Sequence, residues 1–231
     1  MIPVNKVYQR LLIILNKENR GYVTKDEFNS LADQVQQEIF ESYFTKKALS
    51  LQGENDTDFA NPPMNVEEKI TFFDNVNTVN RTANMRLNYS DIVLTGQEFY
   101  RLGIVDIGGR HLDEVEHKDV LYINLSPLTA PTIEQAVYTR HEGGIQIYPL
   151  SYGGNVTVNY LRRPTQPQFN GTVVGQQTIP GVMDDVNFEL HPSEEHEIVT
   201  RMLSYFGVVT RDADVAGFGS QQTQQITAVE Q

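Results

Sequence analysis

Apolar residues recur at helical spacing at both ends of this chain and at strand spacing in its middle. That change of period constrains the fold more than any other feature. In residues 4–20, Val4, Val7, Tyr8, Leu11, Leu12 and Leu15 fall on one stripe, the pattern a helix needs to bury one face. Pro3 suits the helix start, where its missing N–H costs nothing, and Gly21 is a natural stop. Thr24-Lys-Asp-Glu27 is a capping box: the hydroxyl and the carboxylate each satisfy an orphan backbone N–H. Phe28, Leu31, Val35, Ile39, Phe40 and Tyr43 then form a second stripe. The two helices are predicted to pack as an antiparallel hairpin. A third helical stripe, Ile198, Val199, Met202, Leu203 and Phe206, lies in residues 193–206. Pro192-Ser193 supplies its start, Glu194, Glu195 and Glu197 suit the positive end of its dipole, and Gly207 its end. The hairpin and this returning helix are expected to bury Leu11, Leu15, Phe28, Leu31, Val35 and Leu203 together.

Between the helical ends the pattern shortens to β-type runs. Lys69–Phe73, Phe99–Ile107, Gln135–Arg140, Gly144–Pro149 and Asn155–Arg162 read as strands, and His141-Glu-Gly-Gly144 reads as a hairpin turn. Residues 135–162 are expected to form three consecutive antiparallel strands. A short helix is expected over Leu112–Leu121. The fold class is therefore α+β. Residues 1–49 form an N-terminal helical hairpin, and 50–65, with Pro62-Pro63 and many turn formers, a loop. Residues 66–190 form a β-rich region, 191–211 a C-terminal helix and 212–231 an arm. No repeat of 20–50 residues is present.

Composition narrows the function classes. The 231 residues include no Cys, which excludes a disulfide scaffold, a thiolate metal site and thiol catalysis. Eighteen basic residues against 30 acidic ones leave a net charge of −12, which argues against a protein that grips phosphate backbones. No run of 18 apolar residues suggests a membrane span, and Leu11–Leu15 is too short for a signal-peptide core. No P-loop, GxGxxG or GxSxG motif occurs. We expect no enzyme activity, no cofactor and no metal.

The sharpest local pattern is a match to a calcium-binding loop over residues 16–27, NKENRGYVTKDE. Asn16, Glu18, Thr24 and Glu27 fall at ligand positions one, three, nine and twelve, with Gly21 at the turn position and Val23 at eight. Arg20 occupies position five, where calcium needs an oxygen. The same residues are explained by Gly21 ending one helix and Thr24 and Glu27 capping the next, so calcium binding is expected to be absent. His191 and His196 are five apart, wrong for a helical ligand pair. The neighbouring carboxylates Asp184-Asp185 and Glu194-Glu195 do not face one another and are expected to be solvated. Residues 212–231, DADVAGFGSQQTQQITAVEQ, have too little apolar surface to offset an ordering cost of roughly 1–2 kcal/mol per residue. They are expected to order only against another chain, with Phe218, Ile226 and Val229 as partner-interface anchors.

Three stretches, LLIILNKENRGYVTKDEFNSLADQVQQEIFESYF, GGIQIYPLSYGGNVTVNYLRRPTQPQF and FELHPSEEHEIVTRMLSYFGVVTRD, resemble virion structural proteins of tailed bacteriophages. The likeness is to ring or adaptor proteins of crAss-like phages, and it covers a little over a third of the chain. The resemblance implies helices, an inserted β region, a returning helix and an arm. It implies self-association into a ring, typically of twelve copies, between the portal protein and adjacent tail ring proteins, with DNA passing through without specific binding. It places the chain in the virion, at the head–tail interface, and implies no catalytic residues. Rival readings are another virion position, such as tail hub or head completion, and a calcium-dependent binding module using residues 16–27.

Overall fold

The computed structural model describes residues 1–17, 23–50, 62–81, 86–151, 153–174, 177–179, 184–209 and the single residue 224. The chain is α+β and divides into two compact units: residues 1–72 with 164–231, and residues 73–163. The chain leaves the first unit after Phe72 and re-enters it at Pro164.

The first unit is mainly helical. Helix α1 is Val4–Lys17, α2 is Lys25–Ser50, α3 is Pro62–Thr71 and α6, which follows a 3-10 turn at Pro192–Glu194, is Glu195–Val209. The capping box forms at the start of α2. Glu27 accepts from the Thr24 backbone N–H at 2.9 Å and from its hydroxyl at 2.8 Å, and the Glu27 N–H donates to that hydroxyl at 3.3 Å. Helix α6 packs against both α1 and α2. Leu11, Leu15, Phe28, Val35 and Leu203 are buried, whereas Leu31 is only half-buried and its neighbour Ala32 takes the interior position. Helices α1 and α2 meet where the Tyr8 ring sits 4.6 Å from Phe28 and 4.9 Å from Phe169. The Tyr8 hydroxyl donates to the Val23 carbonyl at 2.9 Å.

The returning chain is sewn to α2 by amide side chains. Asn29 donates to the Phe169 carbonyl at 3.1 Å and accepts its N–H at 2.9 Å. Gln36, fully buried, donates to the Thr165 carbonyl at 2.8 Å and accepts from the Glu189 N–H at 3.0 Å. Buried amides satisfied at both ends fix register as well as position. Ile2 and Phe188 exchange two backbone hydrogen bonds of 3.0 Å. The β region expected over 66–190 and the second unit therefore differ in extent. Residues 164–190 are anchored to the helices; within them Thr172–Val174 (β9) and Gln177–Ile179 (β10) form a small hairpin.

Several local expectations need correction. Lys69–Phe73 is not a strand: residues 69–71 end α3, and Val66 and Ile70 are buried at helical spacing. Pro62 and Pro63, read as loop, open that helix, where they remove no bond the helix needs. Residues 51–61 of the expected loop lie outside the described residues. Gly207 does not end α6; it is buried inside it.

The second unit pairs two sheets over one apolar core. Its elements are β1 (Asp74–Arg81), β2 (Arg86–Asn88), α4 (Tyr89–Ile92), β3 (Glu98–Ile107), β4 (Arg110–His111), β5 (Asp113–Glu114), α5 (His117–Leu125), β6 (Val137–His141), β7 (Gly144–Tyr148) and β8 (Gly154–Arg163). One sheet runs β1-β8-β3-β4 and the other β2-β7-β6-β5, with β5 parallel to β6. Leu102, Val105, Val156, Val158 and Tyr160 from the first meet Leu87, Tyr138, Ile145 and Ile147 from the second. The expected three-stranded run over 135–162 is thus split: β6 and β7 form a hairpin, but β8 crosses to the other sheet and pairs with both β1 and β3. A ten-residue strand with buried residues on one face needs a long partner on each side, and the five-residue β7 is too short. The β6–β7 turn uses Gly143 at φ 79. Beside it, a Cβ on Gly144 would lie 2.1 Å from the Leu87 carbonyl oxygen, so β2 approaches where only glycine fits. The expected helix over 112–121 forms later, as α5, because Leu112 is committed to the core and its N–H to the Val105 carbonyl.

Candidate functional site

The residues singled out in the sequence divide by what the fold does with them. Phe218, Ile226 and Val229 lie outside the described residues, as do Glu18, Arg20 and Gly21 of the calcium-loop pattern. What is described of that loop serves structure. The Val23 carbonyl is taken by Tyr8, and the Glu27 carboxylate is taken by Thr24. The Thr24 backbone and hydroxyl donors hold Glu27 below the usual carboxylate range. His191 caps the 3-10 turn, its Nδ1 accepting from the Ser193 N–H at 3.3 Å. His196 is exposed in the first turn of α6.

The acidic pairs are not simply solvated. Glu194 is 2% exposed and paired with Lys69 at 2.5 Å. Glu195 pairs with Lys6 at 3.1 Å and Arg10 at 2.5 Å. Asp185 accepts the Asn170 N–H at 2.7 Å, while Asp184 is exposed. Sequence adjacency showed that neither pair shares a face; it carried no sign that Glu194 had a buried cation opposite, because Lys69 comes from a helix read as a strand.

One open cleft of ≈ 700 Å³ lies on the second unit, lined by Glu114, Val115, Glu116, His117, Lys118 and Arg140. Its charges cancel locally. Arg140 Nε lies 2.8 Å from Glu114, and Lys118 Nζ lies 2.7 Å from Glu116. Tyr138 donates to Glu114 at 3.3 Å; burial pushes its phenol up, with the Arg140 hydrogen bond opposing. His117 meets His141 edge-to-face at 5.4 Å, and His141 shares a 3.1 Å hydrogen bond with Thr139. No base is aimed at a nucleophile here, and both cations are already matched. Among the described residues, no three His, Asp or Glu side chains are grouped to hold a metal ion.

What the second unit does present is bare apolar surface. Leu121, Tyr122, Leu125, Leu128 and Ile133, in α5 and the loop after it, are between 62% and 94% exposed. Only Val120 of α5 is buried. Residues 120–133 contain no charged side chain, in a chain of which 21% is charged. The outer face of the β1-β8-β3 sheet is more mixed, carrying Asp74, Glu98, Arg101, Asp106 and Arg163 beside its uncharged residues. There Val76 and Ile104 are 60% and 55% exposed, and Thr78 meets Thr157 hydroxyl to hydroxyl at 3.2 Å. The sequence named the tail, with Phe218, Ile226 and Val229, as the contact. The uninterrupted neutral run at 120–133 was readable in the sequence, but only burial separates such a run from a core segment. No protein-family model matches this chain, and no curated protein is similar to it in sequence.

Proposed function

We propose that the chain is a non-enzymatic structural subunit of a tailed-phage particle, assembling into a ring between portal and tail. The observation that carries the assembly part is the charge-free, exposed apolar segment 120–133. Soluble proteins seldom leave contiguous apolar surface bare unless something covers it. The resemblance of the three sequence stretches to connector proteins supplies the kind of assembly. Twelve copies of a −12 chain would carry −144. A channel of that sign repels the DNA that passes through it instead of binding it.

Negative-stain microscopy and native mass measurement of the purified chain test this reading. Closed rings with an open centre are the expected outcome. A chain that is monomeric under all conditions counts against it. Gold labelling of particles that contain the chain then fixes its position; label at the far end of the tail would move it to the hub.

A further inference from the structure

We infer that two copies pair through the open edge of β1, strand against strand and antiparallel, about a two-fold axis at Asn77. A two-fold contact closes on itself, so the inference gives the form of the free chain and does not rest on the ring reading. The Phe73 carbonyl accepts the Arg162 N–H at 3.0 Å, and the β1–β8 register then runs without a shift from Asp74 opposite Leu161 to Arg81 opposite Gly154. Antiparallel strands alternate residues that bond the neighbour with residues that turn away from it. Asn75, Asn77 and Val79 therefore bond β8, and Asp74, Val76, Thr78 and Asn80 turn their N–H and C=O groups to the other edge. Among the described residues, nothing bonds them there. Such an edge is a template for another extended backbone.

The usual guards are missing from this edge. Natural edge strands are kept short, bulged or charged, or carry proline. β1 is eight residues long, and Asn75–Asn80 holds neither charge nor proline. The other edge strands of the second unit, β2, β4 and β5, are two or three residues long, and the register shifts fall in β3. β1 is also held in place before any partner arrives. Asn75 Nδ2 donates to Gln97 Oε1 at 2.8 Å, and Asn77 Nδ2 donates to the Ile92 carbonyl at 2.7 Å. Surface that is already ordered loses less entropy on docking.

The occupant follows from the symmetry of the edge and from charge. Asp74, Val76, Thr78 and Asn80 are spaced evenly about Asn77, so a second β1 turned about that residue pairs all of them at once. Val76 then faces the second copy's Thr78, and Asp74 faces its Asn80. A β-branched pair and an acid opposite an amide are both acceptable across strands. The two Asp74 carboxylates stand at opposite ends of the pairing, so they do not meet. Residues 73–163 hold eight of the 18 basic residues but only ten of the 30 acidic ones. Copies of a −12 chain therefore approach with least repulsion through this unit.

Val76→Pro tests this, because it removes an N–H from the open edge and none from the β8 ladder. Val76→Lys, at a position 60% exposed, is the second variant, and circular dichroism checks that both fold. Sedimentation should show the wild type as a dimer and each variant dimerising at least about tenfold more weakly. Register is read separately. The chain has no Cys, so a Val76→Cys copy mixed with a Thr78→Cys copy should give the mixed disulfide in excess over either homodimer. Folded variants that dimerise as the wild type does overturn the inference, and so does either homodimeric disulfide in excess. Wild-type rings that form with no dimer at any concentration overturn it and leave the ring reading standing. Dimers with no rings under any condition keep the inference and remove the ring reading. A monomeric wild type that binds a synthetic peptide of residues 155–162 shows an edge open to a foreign strand and overturns the pairing of copies.

Discussion

The two units of this chain differ in what they leave exposed. In the helical unit, charge is placed beside countercharge. Lys69 meets buried Glu194, Lys6 and Arg10 meet Glu195, and Arg201 meets Glu197 at 2.5 Å and Glu38 at 3.6 Å. Tyr205 adds a hydrogen bond to Glu38. The β unit also has matched pairs, Arg140 with Glu114 and Lys118 with Glu116, but its exposed apolar run 120–133 carries no charge of its own. The first arrangement ties a unit to itself. The second leaves surface that gains by being covered. Under the assembly proposed above, the helices hold the fold while the exposed run of the β insert makes contacts.

The contrast breaks most sharply if apolar truncations behave alike in the two settings. Phe28→Ala removes a ring fully buried against Tyr8 and should cost about 3–5 kcal/mol. Leu128→Ala, at 94% exposure, should stay within about 0.5 kcal/mol; urea unfolding measures both. Next in size is Glu194→Gln, which leaves Lys69 facing an amide. Lys69 keeps some access to water, so about 1–3 kcal/mol is expected, with partial recovery in a Lys69→Met double variant. Thr24→Ala removes the α2 cap and should cost about 1 kcal/mol by the same assay.

The smallest effects are pH-linked. Glu27 is held low by Thr24, so its contribution is present above the unfolded carboxylate value and lost as pH falls through the folded one. Melting curves of Glu27→Gln and wild type should therefore converge in acid. Tyr205 goes the other way. The hydrogen bond to Glu38, then burial, raises its phenol above the ordinary 10.0. Its contribution is intact below pH 10.0 and fades as pH rises through the folded value. Tyr205→Phe should flatten the alkaline fall in melting temperature.

The helical ends were legible because their stripes run long: Val4 to Leu15, Phe28 to Tyr43 and Ile198 to Phe206 each repeat the period several times. The Thr24–Glu27 cap was legible because its chemistry is local. Residues 66–73 were not, since Val66 and Ile70 on either side of three charged residues do not separate strand from helix, and the helix forms because Val66 and Ile70 find a core. The crossing of β8 to the other sheet was hidden too. Alternation says which face is buried but not which strand lies alongside. Of the proposed contact surfaces, the tail anchors Phe218, Ile226 and Val229 came from composition, whereas segment 120–133 emerged only when its side chains proved exposed.

Hydrogen–deuterium exchange, comparing the chain dilute and concentrated enough to associate, tests the division of labour most directly. Slowed exchange at residues 120–133 of the second unit, with α1, α2 and α6 unchanged, is the expected result. Slowing in the helices of the first unit, with 120–133 exchanging freely in the associated state, would contradict it.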